Sequence, residues 1–226
     1  MLYRLPASPS GRQGRPSKSL TLDQAGALLR AAEDSRLNAY IVTSLLTGAR
    51  TEELRALRWE HVHLEPSGQI PPHIEVWRSV RAGGDTKTKR SRRTLALPAR
   101  CVSALIAHRL RQEDERFSAP GWSDPSLVFA SRAGTPLDSQ NVRREFRAVL
   151  AKIDTMTASD WTPRELRHSF VSLLSDSGVP IEEISRLVGH SSTAVTEQVY
   201  RHQIRPVVQA GAVAMDSLFG LPSLSV

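Results

Sequence analysis

The segment from Thr162 to His202 constrains the fold more strongly than any other part of this chain. Thr162 and Glu165 form a capping-box pattern, and Pro163 between them suits the first position of a helix. Apolar residues at helical spacing predict one buried face on this helix: Leu166, Phe170, Leu173 and Leu174. Gly178 interrupts it, and a second helix is predicted to end at Gly189. The segment therefore predicts two helices joined by a short turn.

Charged and hydroxyl side chains accompany these two helices. Arg164 and Arg167 fall in the first two turns of the first helix, where free N–H groups and the helix dipole favour a bound anion. His190 follows the second helix, and Tyr200 lies ten residues later on a predicted third short helix. Taken alone, the segment fits two interpretations equally well. One is a site that binds an anion, and the other is a DNA-binding helix-turn-helix with a half-buried core tyrosine. The upstream sequence has to separate these interpretations.

The composition favours a nucleic-acid partner. The 226 residues, 40% of them hydrophobic, suffice for one sizeable domain or two small ones. The formal net charge is +7, and arginine, whose planar fork binds phosphate, carries most of the positive charge. No apolar run approaches the roughly 20 residues of a membrane span. The start of the chain lacks the apolar core of a signal peptide, and the single cysteine suits a reducing compartment.

Three helices are predicted in the first quarter of the chain. Thr21 and Gln24 form a capping box that opens the first, and Gly48 closes the second. Arg50 stands at the start of the third, with Glu53 one turn below it. An Arg–Glu pair at this spacing is either an ordinary surface ion pair or a brace that holds Arg50 in position for a ligand.

A β-hairpin is predicted from residues 73–81 and 92–98, which have β-type composition and partial alternation. The connecting segment, residues 85–93, overlaps the start of the second strand and is strongly basic. It contains Lys87, Lys89, Arg90, Arg92 and Arg93. Such a run is typical of a solvated loop or of a loop that contacts the DNA backbone.

The second half of the chain continues mainly in helices. Residues 99–114 form an amphipathic pattern whose predicted inward positions are Val102, Leu105, Ile106 and Leu110. Residues 126–129 have the composition of a short strand, and Ser139 is predicted to cap a further helix. The inward positions of that helix are Val142, Phe146, Val149 and Leu150. Its outward positions are Arg143, Arg144 and Arg147, a candidate face for contacts with DNA phosphates.

The ends of the chain suggest one domain with an arm. Residues 1–18 are predicted to be a flexible basic arm or linker, and residues 19–226 a single domain. The apolar helix at about 206–219 packs either on this domain or on a neighbouring subunit. No metal site or cofactor is predicted, because His61 and His63 lack the further ligands that zinc requires.

Five of these residues together suit metal-free chemistry on a phosphodiester: Arg50, Lys87, Arg167, His190 and Tyr200. Two arginines can bind the non-bridging oxygens and stabilise the transition state. A tyrosine can attack phosphorus and form a covalent phosphotyrosine. A lysine can protonate the leaving 5′-oxygen, and a histidine can donate a hydrogen bond or handle the proton of the nucleophile.

From about residue 18 onward the chain resembles the tyrosine recombinase (phage integrase) family, and within it the integrases of actinobacterial phages and integrative plasmids. The matching stretches are TGARTEELRALRW, TKTKRSRRTLALP, LRHSF and LVGHSSTAVTEQVY. The resemblance implies that Arg50 and Arg167 are the two catalytic arginines and that Glu53 supports the first. By the same resemblance Lys87 is the general acid, His190 the catalytic histidine and Tyr200 the nucleophile.

The resemblance also implies a fold and a mode of action. The fold is mainly α with a small antiparallel three-stranded β-sheet. The action is site-specific recombination, in DNA integration or excision, by a homotetramer on double-stranded DNA attachment sites, through a Holliday junction and without metal or ATP. Accessory DNA-bending proteins are compatible with it, as is a cytoplasmic, nucleoid-associated location in a prokaryote.

The chain departs from the family pattern at two points, and one assignment has an alternative. The family commonly has histidine where this chain has Arg164, so either Arg164 takes over as a phosphate donor, or His168 compensates, or the position is dispensable. Arg164 cannot act as a base, because a guanidinium has no proton acceptor. Integrases usually carry an N-terminal DNA-clamping domain, whereas here only the basic arm precedes the catalytic domain. Lys89 is the alternative to Lys87 as general acid.

Two other functions use the same features. A tyrosine-type topoisomerase would employ similar residues without demanding a particular DNA site. A non-catalytic helix-turn-helix protein would bind DNA and tolerate the loss of Tyr200, Arg50 or Lys87.

Overall fold

The computed structural model describes residues 18–77, 79–80, 92–189 and 210–220. These residues form eight α-helices and one three-stranded antiparallel sheet. The helices are α1 (Leu22–Ala31), α2 (Asn38–Thr47), α3 (Thr51–Arg55), α4 (Ala99–Ser118), α5 (Ser139–Leu150), α6 (Arg164–Asp176), α7 (Ile181–Val188) and α8 (Ala210–Phe219). The strands are β1 (Val62–His63), β2 (His73–Val76) and β3 (Arg93–Ala96). The predicted fold class, mainly α with a small antiparallel sheet, is confirmed.

Several helix ends form as their local sequence predicts. Thr21 Oγ1 accepts from the N–H of Gln24 at 3.2 Å, and Gln24 Oε1 accepts from the N–H of Thr21 at 3.0 Å, which completes the capping box of α1. Gly48 and Gly189 end α2 and α7 in the left-handed conformation, with φ of 66° and 61°. Glu165 accepts from the N–H of Thr162 at 2.8 Å, one half of the predicted box at α6.

Helix α2 is the centre of the hydrophobic core. All of its residues from Ala39 to Thr47 are buried, and most of them are apolar, as expected for a helix at the centre of a core. It packs against α1, α3, α4, α6 and α8. Arg50 and Glu53 follow directly after this rigid helix, so the core fixes the base of the site described below.

Strand β2 lies between β1 and β3. His63 pairs with His73 and Val62 with Ile74 across β1 and β2. Val76 pairs with Arg93 across β2 and β3. Because side chains alternate along a strand, Ile74 and Val76 enter the core while the histidines occupy the other face.

Helix α4 buries a different face from the predicted one. The prediction that Ile106 and Leu110 point inward is wrong, since they are 45% and 60% exposed. Leu105 is buried as predicted, and His108 and Gln112 are buried in place of Ile106 and Leu110. Polar side chains fit there because they are hydrogen-bonded: His108 Nε2 lies 2.7 Å from the carbonyl oxygen of Val128. Burial lowers the pKa of His108 to about 4, so its ring is neutral at neutral pH.

Two smaller predictions in the second half also need correction. Residues 126–129 do not form a strand. Their pairing is limited to one isolated bridge between Leu127 and Arg58, because the pairing does not continue into a ladder of strand hydrogen bonds. The cap of α5 is Asp138, not Ser139, and its carboxylate accepts from the N–H of Gln140 at 2.8 Å. The predicted inward residues of α5 are all buried: Val142, Phe146, Val149 and Leu150.

Helix α8 packs on its own chain. The sequence allowed this arrangement or packing on a neighbouring subunit. It contacts α2, α4, α6, α7 and β3. Met215 is fully buried, and Asp216 Oδ1 accepts from the N–H of Ala99 at 2.6 Å. This carboxylate therefore serves the N-terminus of α4, whose orphan N–H groups need a partner. In the described part of the chain no helix is long and apolar enough to cross a membrane.

Replacing Gly48 with alanine is expected to destabilise the fold by about 3 kcal/mol. The residue has φ of 66°, and a Cβ atom would lie 2.4 Å from Phe170 Cδ1 in the core. Left-handed backbone strain costs about 1–3 kcal/mol and core overpacking a similar amount. Chemical denaturation of both chains measures the difference. Gly68→Ala is the matched control: its φ is 59° but nothing lies within 4 Å, so it should lose only the backbone part. Equal effects at both positions would contradict the packing argument.

Candidate active site

Glu53, in the first turn of α3, holds Arg50 by two hydrogen bonds. Its carboxylate accepts from the backbone N–H of Arg50 at 2.6 Å and from Nη1 of Arg50 at 2.8 Å. The Glu53 side chain is only 3% exposed, whereas that of Arg50 is 33% exposed. Of the two interpretations that the sequence left open, this geometry favours the brace. A buried carboxylate fixes the arginine and leaves part of its guanidinium accessible.

The same carboxylate binds a second arginine, Arg93 of β3. Nη1 and Nη2 of Arg93 donate to the two oxygens of Glu53 at 3.0 and 2.8 Å. The Arg93 side chain is 7% exposed, so its assignment to a solvated loop that steers DNA is a misplacement. The physical reason is that Arg93 is the first residue of a buried strand and faces α3. The sequence holds no local signal for this pairing, because the partners are 40 positions apart.

Arg167, on α6, connects the C-terminal ends of two other helices. Its Nη1 donates to the carbonyl oxygen of Gly48 at 2.6 Å, and its Nη2 donates to that of Val188. Helix C-termini carry carbonyl groups without helical partners and the negative end of the dipole, which suits a cation. The next residue, Gly189, accepts from Nη2 of Arg50 at 3.4 Å. The end of α7 thus brings the two predicted catalytic arginines together.

The cluster has an excess of positive charge. Burial, followed by the charges of Arg93 and Arg50, lowers the pKa of Arg167 to about 9. The guanidinium therefore stays protonated at neutral pH, but its charged form is destabilised by its surroundings. Its hydrogen bonds go to uncharged carbonyl oxygens. An anion bound beside Arg167 would relieve this cost, so the cluster favours a negatively charged ligand.

Arg164 lies one helical turn before Arg167, and His168 is the next residue in the chain. Arg164 is exposed and His168 half-buried. Residues three and four apart share a helix face, so Arg164 is a neighbour of both. Burial, helped by the charge of Arg164, lowers the pKa of His168. A neutral imidazole can accept a proton, which Arg164 cannot do. All three predicted alternatives therefore stay open: substitution by Arg164, compensation by His168, or a position that the chemistry does not need.

Five predicted site residues lie outside the described residues: Lys87, Lys89, Arg90, His190 and Tyr200. The described residues that flank them are close to the cluster. Val80 donates its N–H to the carbonyl oxygen of Glu52 at 3.2 Å, and Arg93 binds Glu53. The described residues on both sides of segment 81–91 therefore lie against α3. Gly189, which precedes His190, accepts from Arg50.

The predicted DNA-contacting arginines of α5 are only partly free. Arg143 and Arg144 are exposed, as expected for a polar helix face. Arg147 is half-buried and donates to the carbonyl oxygen of Ser159 at 3.3 Å, so it also ties α5 to the following turn. Arg92, just before β3, is half-buried. None of these contacts tests whether the side chains bind DNA.

The fold is that of a tyrosine recombinase catalytic domain. The crystal structure of XerA recombinase superposes with a TM-score of 0.62 and 27% identity, covering 90% of this chain and 65% of that one. The Tn1549 transposon integrase in complex with transposon right end DNA gives a TM-score of 0.64 at 20% identity. That match covers 92% of this chain and 68% of that chain.

The chain belongs to the phage integrase family, whose model matches residues 18–205. An integrase from Streptomyces ambofaciens is 64% identical over 216 residues, which is 93% of this chain and 56% of that protein. A XerC-like tyrosine recombinase from Caldanaerobacter subterraneus is 24% identical, over 95% of this chain and 58% of that protein. The chain thus spans a little over half the length of these relatives. The predicted family is confirmed.

Proposed function

We propose that this chain is the catalytic domain of a site-specific DNA recombinase that integrates or excises DNA. The observation that carries the proposal is the arginine cluster, in which Arg50 and Arg167 meet at the end of α7 and the carboxylate of Glu53 also binds Arg93. A DNA phosphodiester supplies the anion that such a cluster favours. In its transition state the phosphoryl oxygens carry more negative charge than in the ground state, so donors fixed beforehand lower the barrier.

In the proposed reaction, Arg50 and Arg167 hold the non-bridging oxygens of one phosphodiester. The hydroxyl oxygen of Tyr200 attacks phosphorus, the bond to the 5′-oxygen breaks, and a 3′-phosphotyrosyl ester forms. Lys87 gives its proton to the leaving 5′-oxygen, and His190 donates a hydrogen bond to the phosphoryl group or takes the tyrosine proton. A 5′-hydroxyl of another strand then attacks the ester and releases the tyrosine. The ester conserves the bond energy, so religation needs no ATP.

The assignments of Lys87 and His190 are supported by the residues next to them. The chain enters and leaves segment 81–91 beside α3, where Arg50 and Glu53 stand. His190 directly follows Gly189, whose carbonyl oxygen binds Arg50. Lys89 shares the segment with Lys87, so each lysine is replaced singly to decide which of them is the general acid. A DNA substrate whose 5′ leaving group needs no proton should restore cleavage only in the variant that has lost the general acid.

The proposed partner is double-stranded DNA carrying an attachment site. Solved relatives support this, since the Tn1549 integrase was captured with transposon right end DNA and XerH recombinase with its difH substrate. Action as a homotetramer on two duplexes, with accessory DNA-bending proteins, belongs to the same proposal. So does a location at the nucleoid in the cytoplasm.

The proposal is tested with a nicked duplex carrying the DNA that flanks the gene. Cleavage beside the nick releases a short fragment, which traps the phosphotyrosyl intermediate. The expected result is a protein–DNA adduct that survives denaturant, and only on some sequences. A clamp domain from a relative is then fused ahead of residue 18. If both proteins bind DNA and neither forms an adduct, the result favours the helix-turn-helix function. Adducts on every sequence would favour a topoisomerase.

Replacing Arg143 and Arg144 together with alanine is expected to weaken binding to all DNA sequences by a similar factor. Phosphate contacts carry no sequence information, and each lost contact should lower the slope of log K against log salt by about 1. Fluorescence anisotropy over a salt series measures both quantities. The matched control for the loss of two charges is the joint replacement with alanine of Arg116 and Arg132, two exposed arginines outside α5. An unchanged slope in the α5 variant would remove α5 from the DNA interface.

A further inference from the structure

Four polar side chains meet on the face of the sheet that points away from the core. His63 lies opposite His73 in the register of β1 and β2, and His61 and Glu75 occupy the next positions on the same face. The prediction that His61 and His63 lack further ligands did not include His73 and Glu75, because these two residues come from the neighbouring strand. Among the described residues, one atom each of His63, His73 and Glu75 lie within 4.8 Å of one another.

We propose that His63, His73 and Glu75 bind one divalent cation of the Zn²⁺ type. Two imidazoles and a carboxylate are a ligand set that zinc accepts, with the fourth tetrahedral position left for water. Donor atoms around zinc at about 2.0–2.1 Å are about 3.3 Å apart, so the three atoms, which lie within 4.8 Å of one another, have to approach by at most about 1.5 Å. The side chains can rotate that far, because His63 is 42% and Glu75 21% exposed.

The state of the two rings supports a metal site. Nδ1 of His73 lies 2.8 Å from the carbonyl oxygen of Pro71 and can only donate to it, which leaves the lone pair on Nε2. A histidine ligand typically donates its second N–H to a carbonyl or carboxylate in this way. Nε2 of His63 is buried, makes no hydrogen bond with any described residue and lies 3.9 Å from Glu75 Oε1. The ring centroids of His63 and His73 lie 4.3 Å apart and their planes differ by 23°, so one ring has to turn before both nitrogens face the same ion.

Glu75 is oriented from its other side. Nδ1 of His61 lies 2.9 Å from Glu75 Oε2, so His61 fixes the carboxylate while Oε1 faces His63. His61 and Glu75 also line a narrow crevice together with Glu53. A cation at this site would link β1 to β2 beside the carboxylate that holds the arginine cluster. Its role is structural: it fixes the strand from which segment 81–91 departs.

The test uses the metal-stripped full chain titrated with zinc chloride in a calorimeter. One Zn²⁺ per folded chain is expected, with a rise in the thermal unfolding midpoint that a chelator reverses. His63→Gln, His73→Gln and Glu75→Gln should each weaken binding by more than about 10-fold, and His61→Phe by about 10–100-fold, as for loss of a partner that orients a ligand. Circular dichroism establishes that each variant is folded.

Glu65→Gln and His168→Gln are the matched controls, since they remove a nearby exposed carboxylate and a histidine on another element. Both should bind zinc like the parent. X-ray absorption at the zinc edge should show nitrogen and oxygen ligands without sulfur, because Cys101 is buried in the core. A folded parent chain that binds no zinc overturns the proposal. So does parental affinity in the His63, His73 and Glu75 variants, which would place the ion elsewhere. Neither outcome bears on the DNA chemistry proposed above.

Discussion

A chain with Tyr200 replaced by phenylalanine is expected to bind DNA with nearly parental affinity and to form no covalent adduct. The substitution removes a single oxygen, which is the proposed nucleophile, and leaves in place every arginine that is proposed to contact phosphate. Loss of a covalent nucleophile typically lowers the rate by at least about 10³-fold, so adduct formation should fall below detection. Denaturing electrophoresis on the nicked duplex measures the adduct, and anisotropy on the same DNA measures binding.

Tyr3→Phe is the matched control, because it makes the same chemical change in the N-terminal arm. It should yield adduct at the parental rate. Adduct formation by Tyr200→Phe at the parental rate would show that another residue is the nucleophile. A loss of both binding and adduct would point to a structural role for Tyr200.

Replacing Glu53 with glutamine is expected to destabilise the folded chain by about 3–5 kcal/mol, the usual cost of removing one partner from a buried ion pair. The neutral amide leaves Arg93, which is 7% exposed, and Arg50 without the carboxylate that both bind. Thermal and chemical unfolding measure the loss. Glu115→Gln is the matched control: Glu115 also binds an arginine through both oxygens, but the two side chains are 27% and 21% exposed. Its loss should cost about 1 kcal/mol or less.

The effect of Glu53→Gln should also depend on pH. Burial raises the pKa of Glu53, but the charges and hydrogen bonds of Arg93 and Arg50 outweigh burial, and the pKa is lowered overall. A group whose pKa falls on folding stabilises the native state above its unfolded pKa of about 4.3, and this contribution is lost as the pH falls through the lower folded value. The stability difference between parent and variant should therefore be constant near neutral pH and shrink below about pH 4. A difference that grows toward acid would contradict the ion pair.

Helix boundaries in this chain are predictable from sequence because their signals are local. The capping box at Thr21, the glycine at 48 and the glycine at 189 each act within one helical turn, and each forms as predicted. The resemblance predicts the family correctly for the same reason, because it depends on four short motifs that are each local in sequence. The three-stranded sheet follows the family and is also confirmed.

Positions that depend on distant partners are less accessible to sequence reasoning. Periodicity predicts an apolar face for α4 through Ile106 and Leu110, but the chain buries His108 and Gln112 because backbone carbonyls of residues 127–128 satisfy them. A run of basic residues predicts solvent exposure for Arg93, but a carboxylate 40 positions away draws it inward. In both cases a buried polar side chain is stable only because of a hydrogen-bond partner that periodicity cannot reveal.

The hydrogen bonds of the arginine cluster have a consequence for folding. They join residues 21, 40, 119 and 139 positions apart along the chain. Contacts of such separation carry the loop-closure entropy of most of the domain, so they form late, after the local helices. A nascent or partly unfolded chain can present individual arginines to DNA but not the assembled cluster. The proposed cleavage of a DNA strand would thus be confined to the molecule whose folding is complete.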